Sequence, residues 1–253
     1  MLHLSILQIV LLTVASFAAG ITNAIAGGGS FLMLTALLLT GLDPRAANMT
    51  STIALFPTQV ATGFVGRKMA GGTPKLSLRA LFVISLLGGA VGAALLLQTP
   101  PAFFARLVPW LILIATGLFA YGSFRKKPDG QSSQHHMGRW GSILSQIGIS
   151  IYGGYFGGGI GFLMLAALTL AGTTIRAANA TKNILAGVMN TAAVLVFVFS
   201  PDIGWTQALV GAVASSLGGQ VGVRLIYKVN ERILRMIVIT IGTLLTIALF
   251  ARQ

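Results

Sequence analysis

Few side chains in this 253-residue sequence could act on a solute, and they fall in two matching places. Gly27-Gly28-Gly29 is followed by Ser30-Phe31-Leu32-Met33-Leu34, Gly41 and Arg45-Ala46-Ala47-Asn48-Met49-Thr50. Gly157-Gly158-Gly159 is followed by Ile160-Gly161-Phe162-Leu163-Met164-Leu165, Gly172 and Arg176-Ala177-Ala178-Asn179-Ala180-Thr181. A run of glycine breaks a helix, and a helix restarting after it presents unpaired backbone N–H groups and the positive end of its dipole. The starts near Ser30 and Ile160 are therefore candidate anion contacts, with Gly28, Gly29, Ser30, Gly158 and Gly159 nearest the ligand. Glycines also serve close helix packing in membranes. Three in a row, twice, each before a short segment, favour the break.

A polar stripe follows each short segment. Asn48, Thr52 and Gln59 are spaced by four and seven and so share one helical face; 131 residues on stand Asn179, Asn183 and Asn190. Two such faces related by a pseudo-two-fold would line a common cavity, the alternative being amides that bond only to neighbouring helices. Lys182 is the basic side chain that falls inside an apolar run, near the Asn179 and Asn183 face. A cation there is costly unless it pairs or faces water, so the substrate is one candidate partner; snorkelling to the interface is the other reading. Arg45 and Arg176 precede their spans as interface anchors, with a gating role left open, and Gln220 is a weaker candidate.

The missing residue types narrow the chemistry. The four acidic residues, Asp43, Asp129, Asp202 and Glu231, all read as loop or helix-end positions, so a buried carboxylate proton relay is unsupported. There is no cysteine, and His3, His135 and His136 lie at the terminus or in a loop, which leaves no metal centre and no cofactor to expect. No phosphate-cradling loop is present, so ATP drive within the chain is excluded. With no carboxylate pair, histidine or cysteine to work with, an enzyme is not expected. A small, oxygen-rich anion suits what remains.

The elements that must position these groups are membrane helices. Hydrophobic residues make up 55% of the chain, charged ones 8%, and the mean hydropathy is +0.87, whereas soluble domains carry about a quarter charged residues. The first apolar run lacks Lys or Arg before it and continues into the first motif copy, so it reads as structure and not as a signal peptide. Spans are expected at 4–25, 46–66 (kinked at Pro57), 80–97, 103–124, 140–156, 177–199, 205–226 and 233–250. The runs at 30–42 and up to Ala171 are too short to cross a core of about 30 Å and read as broken or re-entrant helices.

Gly88-Gly89 with Gly92 recurs as Gly218-Gly219 with Gly222, extending the duplication. Repeat 1 spans 1–124, a cytoplasmic linker 125–139, and repeat 2 140–253. The basic loops 67–79, 125–139 and 224–235 should face the cytoplasm, the turns 98–106 and 200–204 the other side. The net charge of +13 sits in such loops, which argues for anionic lipid and against nucleic acid. Equivalent loops then face opposite sides. The fold expected is an all-α polytopic membrane protein of two inverted-topology repeats, with both termini periplasmic.

At the glycine triplets, the short apolar runs and the Ala-Ala-Asn-x-Thr stretches, the chain resembles the sulfite exporter TauE/SafE family, also called toluene sulfonate uptake permeases. The resemblance covers essentially the whole length. It implies a secondary transporter in a bacterial inner membrane for sulfite, thiosulfate, sulfoacetate or other organosulfonates, by alternating access between the halves. An anion channel and a non-transporting assembly protein are the rival readings. The partners expected are a small anionic substrate and the bilayer, with oligomeric state open and a homodimer among the options.

Overall fold

The computed structural model describes residues 4–25, 28–124, 137–225 and 231–251. Gly27, the three histidines, Asp129 and most of the linker expected at 125–139 lie outside these residues. Ten α-helices run through the described residues: α1 (Ile6–Ile25), α2 (Gly29–Leu39), α3 (Pro44–Gly66), α4 (Leu78–Gln98), α5 (Pro101–Phe124), α6 (Arg139–Tyr155), α7 (Ile160–Leu170), α8 (Ile175–Phe197), α9 (Trp205–Leu225) and α10 (Glu231–Phe250). The fold is all-α. Five helices, α1, α4, α5, α8 and α9, are long and apolar enough to cross a membrane, while α2, α7 and the 235–250 part of α10 are shorter apolar helices. Large apolar side chains such as Ile6, Val14, Phe64, Leu87, Trp110 and Leu209 face outward. Lipid tails accept such a surface, and water does not.

The helix ends follow from local chemistry. Asp43 and Pro44 do not merely end a run: the Asp43 carboxylate accepts from the Arg45 and Ala46 amides at 3.0 and 3.1 Å and Pro44 begins α3. That start lies two residues before the one read from the sequence. α3 continues through Pro57, whose missing N–H leaves the Ile53 carbonyl without its helical donor. α2 and α7 both stop at left-handed glycines, Gly41 (φ 92°) and Gly172 (φ 94°), which stand 131 residues apart.

Each short helix folds back on the helix before it. Gln8, near the start of α1, donates to the Leu39 carbonyl at the end of α2, and Gly29 at the start of α2 abuts Ala19 and Asn23. Met137, before α6, donates to the Leu170 carbonyl at the end of α7. α1–α2 and α6–α7 are thus antiparallel hairpins of one long and one 11-residue helix.

Packing between the two sets of five helices is reciprocal. α1 lies on α9 as α6 lies on α4, and α3 on α9 as α8 on α4, while α3 meets α8 and α5 meets α10. Glycine permits the closest of these approaches. A Cβ at Gly218 would collide with the Phe17 carbonyl of α1, and one at Gly154 with the Gly89 carbonyl of α4. Residue pairs along the seams give directions. Phe17 meets Gly218 and Ile21 meets Gly222, so α1 and α9 run parallel; Gly88 meets Ser150 and Gly92 meets Tyr155, so α4 and α6 also run parallel. Gln59 meets Gly187 and Gly63 meets Asn183, so α3 and α8 are antiparallel.

Candidate functional site

The stripe on α3 opens onto a cleft at the junction of the two halves. Ser30, Phe31 and Leu34 from the start of α2, Asn48, Ser51, Thr52, Leu55 and Gln59 from α3, Phe156, Gly157 and Gly158 from the break after α6, and Asn190 from α8 line it. The space between its walls, counting the part open to the surroundings, is about 360 Å³, and about 20 Å³ of it can hold the centres of water-sized molecules. That exceeds the roughly 10–15 Å³ that one water needs, so the cleft admits water. The lining combines amides, hydroxyls and backbone with the apolar side chains of Phe31, Leu34, Leu55 and Phe156. Among the described residues no charged side chain belongs to it.

Second-half glycines shape one wall. Gly157 (φ 75°) and Gly159 (φ 76°) hold left-handed backbone that a residue with a Cβ enters only with strain, and Gly158 between them is buried. The Tyr152 hydroxyl donates to the Gly158 carbonyl at 2.8 Å and so pins the break to α6. Asn48 reaches across the halves, its side-chain amide donating to the Tyr155 carbonyl at 3.0 Å. Thr52 donates to the Asn48 carbonyl at 3.1 Å. At the deep end of the stripe the Asn190 amide donates to the Gln59 side-chain oxygen. These two residues stand 131 apart, the offset of the duplicated motif, so the bond joins corresponding positions of the two halves.

The residues singled out from sequence therefore separate. Ser30, Asn48, Thr52, Gln59, Gly158 and Asn190 come together in the cleft. Gly28 and Gly29 are buried at the start of α2, and Gly159 caps α7 against Ala115. Asn179, Lys182 and Asn183 are not among the lining residues, so the second stripe contributes through Asn190 alone. Lys182 is 7% exposed, on the turn of α8 whose Ala178, Leu185 and Met189 join an apolar cluster with Leu81, Ile160 and Met164. Its position corresponds to Ser51 in the first copy. Gln220 is exposed on α9. Sequence reasoning missed Phe31, Leu34, Ser51, Leu55, Phe156 and Gly157. Ser51 and Leu55 were findable, because they continue the 48, 52, 59 face at helical spacing.

The duplicated motif also ties loops to helices. Thr50 accepts from the Gly204 amide at 3.1 Å, and Thr181 accepts from the Gly71 amide at 3.0 Å and donates to the Gly71 carbonyl at 2.9 Å. Each threonine thus holds a loop of the opposite half. Arg45 pairs with Asp202 and donates to the carbonyls of Leu97 at 3.2 Å and Thr99 at 2.8 Å. Arg176, its equivalent, is exposed.

Apolar helices of spanning length around a polar cleft between two similar halves define a multi-pass membrane protein of the transporter kind. The model of the sulfite exporter TauE/SafE family matches residues 12–249, and the chain belongs to that family. It is 28% identical over 235 residues to a probable membrane transporter protein of Haemophilus influenzae, covering 91% of this chain and 89% of that one. It is 27% identical over 233 residues to the probable membrane transporter protein YfcA of Escherichia coli K12, at 90% and 84% coverage. A probable membrane transporter protein ORF9 of Sinorhizobium sp is 31% identical over 245 residues, at 95% and 91%. The family and these relatives make the chain a membrane transporter.

Proposed function

We propose that the chain carries a small sulfur-containing anion, such as sulfite, thiosulfate or an organosulfonate, across a bacterial inner membrane by alternating access between two inverted halves. The observation that carries this reading is the cleft itself, lined by Ser30, Asn48, Ser51, Thr52, Gln59 and Asn190 with no carboxylate among them. Hydroxyls and amides can surround an oxyanion with donors, and no acidic group repels it. The apolar side chains of Phe31, Leu34, Leu55 and Phe156 in the lining suit a short carbon tail on a sulfonate.

Inversion of the halves is supported by the antiparallel crossing of the equivalent helices α3 and α8. A two-fold relating antiparallel helices lies across them, hence in the membrane plane when they span it. The hairpins α1–α2 and α6–α7 then act as re-entrant elements entering from opposite faces. The end carrying exposed Arg67, Lys68, Lys75, Arg79, Arg139, Arg176 and Arg224 faces the cytoplasm in this reading, and both termini are periplasmic. A membrane potential negative inside favours anion export by about 2.3 kcal/mol per charge per 100 mV.

The test is thermal unfolding of the purified protein with sulfite, thiosulfate, sulfoacetate, taurine and sulfate. A true ligand raises the melting temperature in proportion to the logarithm of its concentration. Asn48→Ala is expected to weaken the effect about tenfold in apparent Kd, the loss of one good hydrogen bond, while Asn179→Ala leaves it unchanged. No shift with any of these anions would remove the proposed substrate class.

A further inference from the structure

We propose that the Arg45–Asp202 ion pair is the gate at one end of the transport path, joined to the cleft through Thr99 and Tyr155. This rests on the alternating-access reading and adds what holds one side shut. Arg45 is 14% exposed, and a single guanidinium joins three elements: the start of α3, the turn between α4 and α5 through the Leu97 and Thr99 carbonyls, and the turn between α8 and α9 through Asp202. The pair therefore bridges the two halves at the end where α3 and α9 begin.

From there a chain of contacts reaches the cleft. The Thr99 hydroxyl lies 3.3 Å from the Tyr155 hydroxyl, and the Tyr155 carbonyl accepts from Asn48, which lines the cleft. Asn48 is one turn along α3 from Arg45, so the contacts close into a ring spanning α3, the α4–α5 turn and α6. An edge-on contact between Phe104 and Tyr155, centroids 5.7 Å apart, braces it. Movement of Asn48 about a ligand thus pulls on the same ring that holds Arg45 against Asp202.

The opposite end is built differently. The loop between α3 and α4, which corresponds in the repeat to the loop bearing Asp202, contains no Asp or Glu. Arg176 is exposed, and at that end Thr181 bonds to Gly71 and the Met137 amide donates to the Leu170 carbonyl. Arg45 thus forms a charge-assisted clasp between the halves, where its repeat equivalent Arg176 stands exposed. Because bonds to charged partners are the stronger kind, the clasp biases the protein toward closure at the Asp202 end.

The natural sequence has no cysteine, so a cysteine placed at Ser30 is the sole thiol. Its labelling by a small charged methanethiosulfonate is measured in right-side-out and inside-out membrane vesicles. Asp202→Asn is expected to raise the rate from the Asp202 side about tenfold, the weight of one charge-assisted bond, without raising it from the other side. Arg45→Lys, which keeps the charge but loses the fork, gives a smaller rise. Combining Asp202→Asn with Tyr155→Phe gives less than the product of the two single effects, because both open one ring. An unchanged rate in Asp202→Asn, or an equal rise from both sides, overturns the gate; strictly multiplicative effects sever its link to the cleft. The melting shifts with anions judge the ligand independently of these rates.

Discussion

Arg45 and Arg176 occupy the same place in two copies of one motif, yet the first is half-buried in an ion pair between the halves and the second stands exposed. The stripes behind them differ in the same way. Asn48, Thr52 and Gln59 face the cleft, whereas of Asn179, Asn183 and Asn190 only the last does. The threonines do not diverge, for Thr50 and Thr181 each hold a loop of the other half. Symmetric positions thus serve assembly, and asymmetric ones cluster around the cleft and its Asp202 end. A carrier whose halves exchange roles must be asymmetric in any one state, because a cleft open equally to both sides would be a channel.

Substitutions at matched positions can break that comparison. The largest effects are expected where the halves are alike: Gly92→Val and Gly222→Val each drive a side chain into a backbone carbonyl, of Ile151 and Ile21, and each should cost at least about 3 kcal/mol or prevent folding. Yield and melting temperature of the purified variants check this. If only one were damaging, the two seams would not be equivalent. Next comes the arginine pair. Arg45→Ala strands Asp202 and two carbonyls and should cost about 1–3 kcal/mol, Asp202 being partly solvated, against less than about 0.5 kcal/mol for Arg176→Ala. Equal costs by thermal unfolding would remove the asymmetry on which the gate depends. The smallest is the threonine pair: Thr50→Val and Thr181→Val should each cost about 1 kcal/mol, with the two melting shifts alike.

Much of this was legible in the sequence, and the duplication is why. The glycine triplets announce the hairpin turns, because three adjacent glycines before an 11-residue helix have no better use, and Gly41 and Gly172 mark where α2 and α7 stop. The start of α3 was misplaced because Asp-Pro punctuates a chain in two ways, as a stop or as a cap with its first helical residue, and only geometry decides between them. The asymmetry could not be read, since both copies spell the same motif. What separates them are partners distant in the chain: Asp202 for Arg45, 157 residues away, and the Tyr155 carbonyl for Asn48, 107 away. Lys182 stands three residues after Asn179 as Ser51 does after Asn48, yet only Ser51 lines the cleft, so helical spacing does not separate the two copies.

The bond between Gln59 and Asn190 has a consequence for ancestry. In a pair of identical half-length chains, a side chain at that crossing would have faced its own copy. Lysine or aspartate would repel itself there, and a valine would make no polar bond. A carboxamide carries both a donor and an acceptor, so it could bind its twin, and Asn190 and Gln59 meet that requirement here.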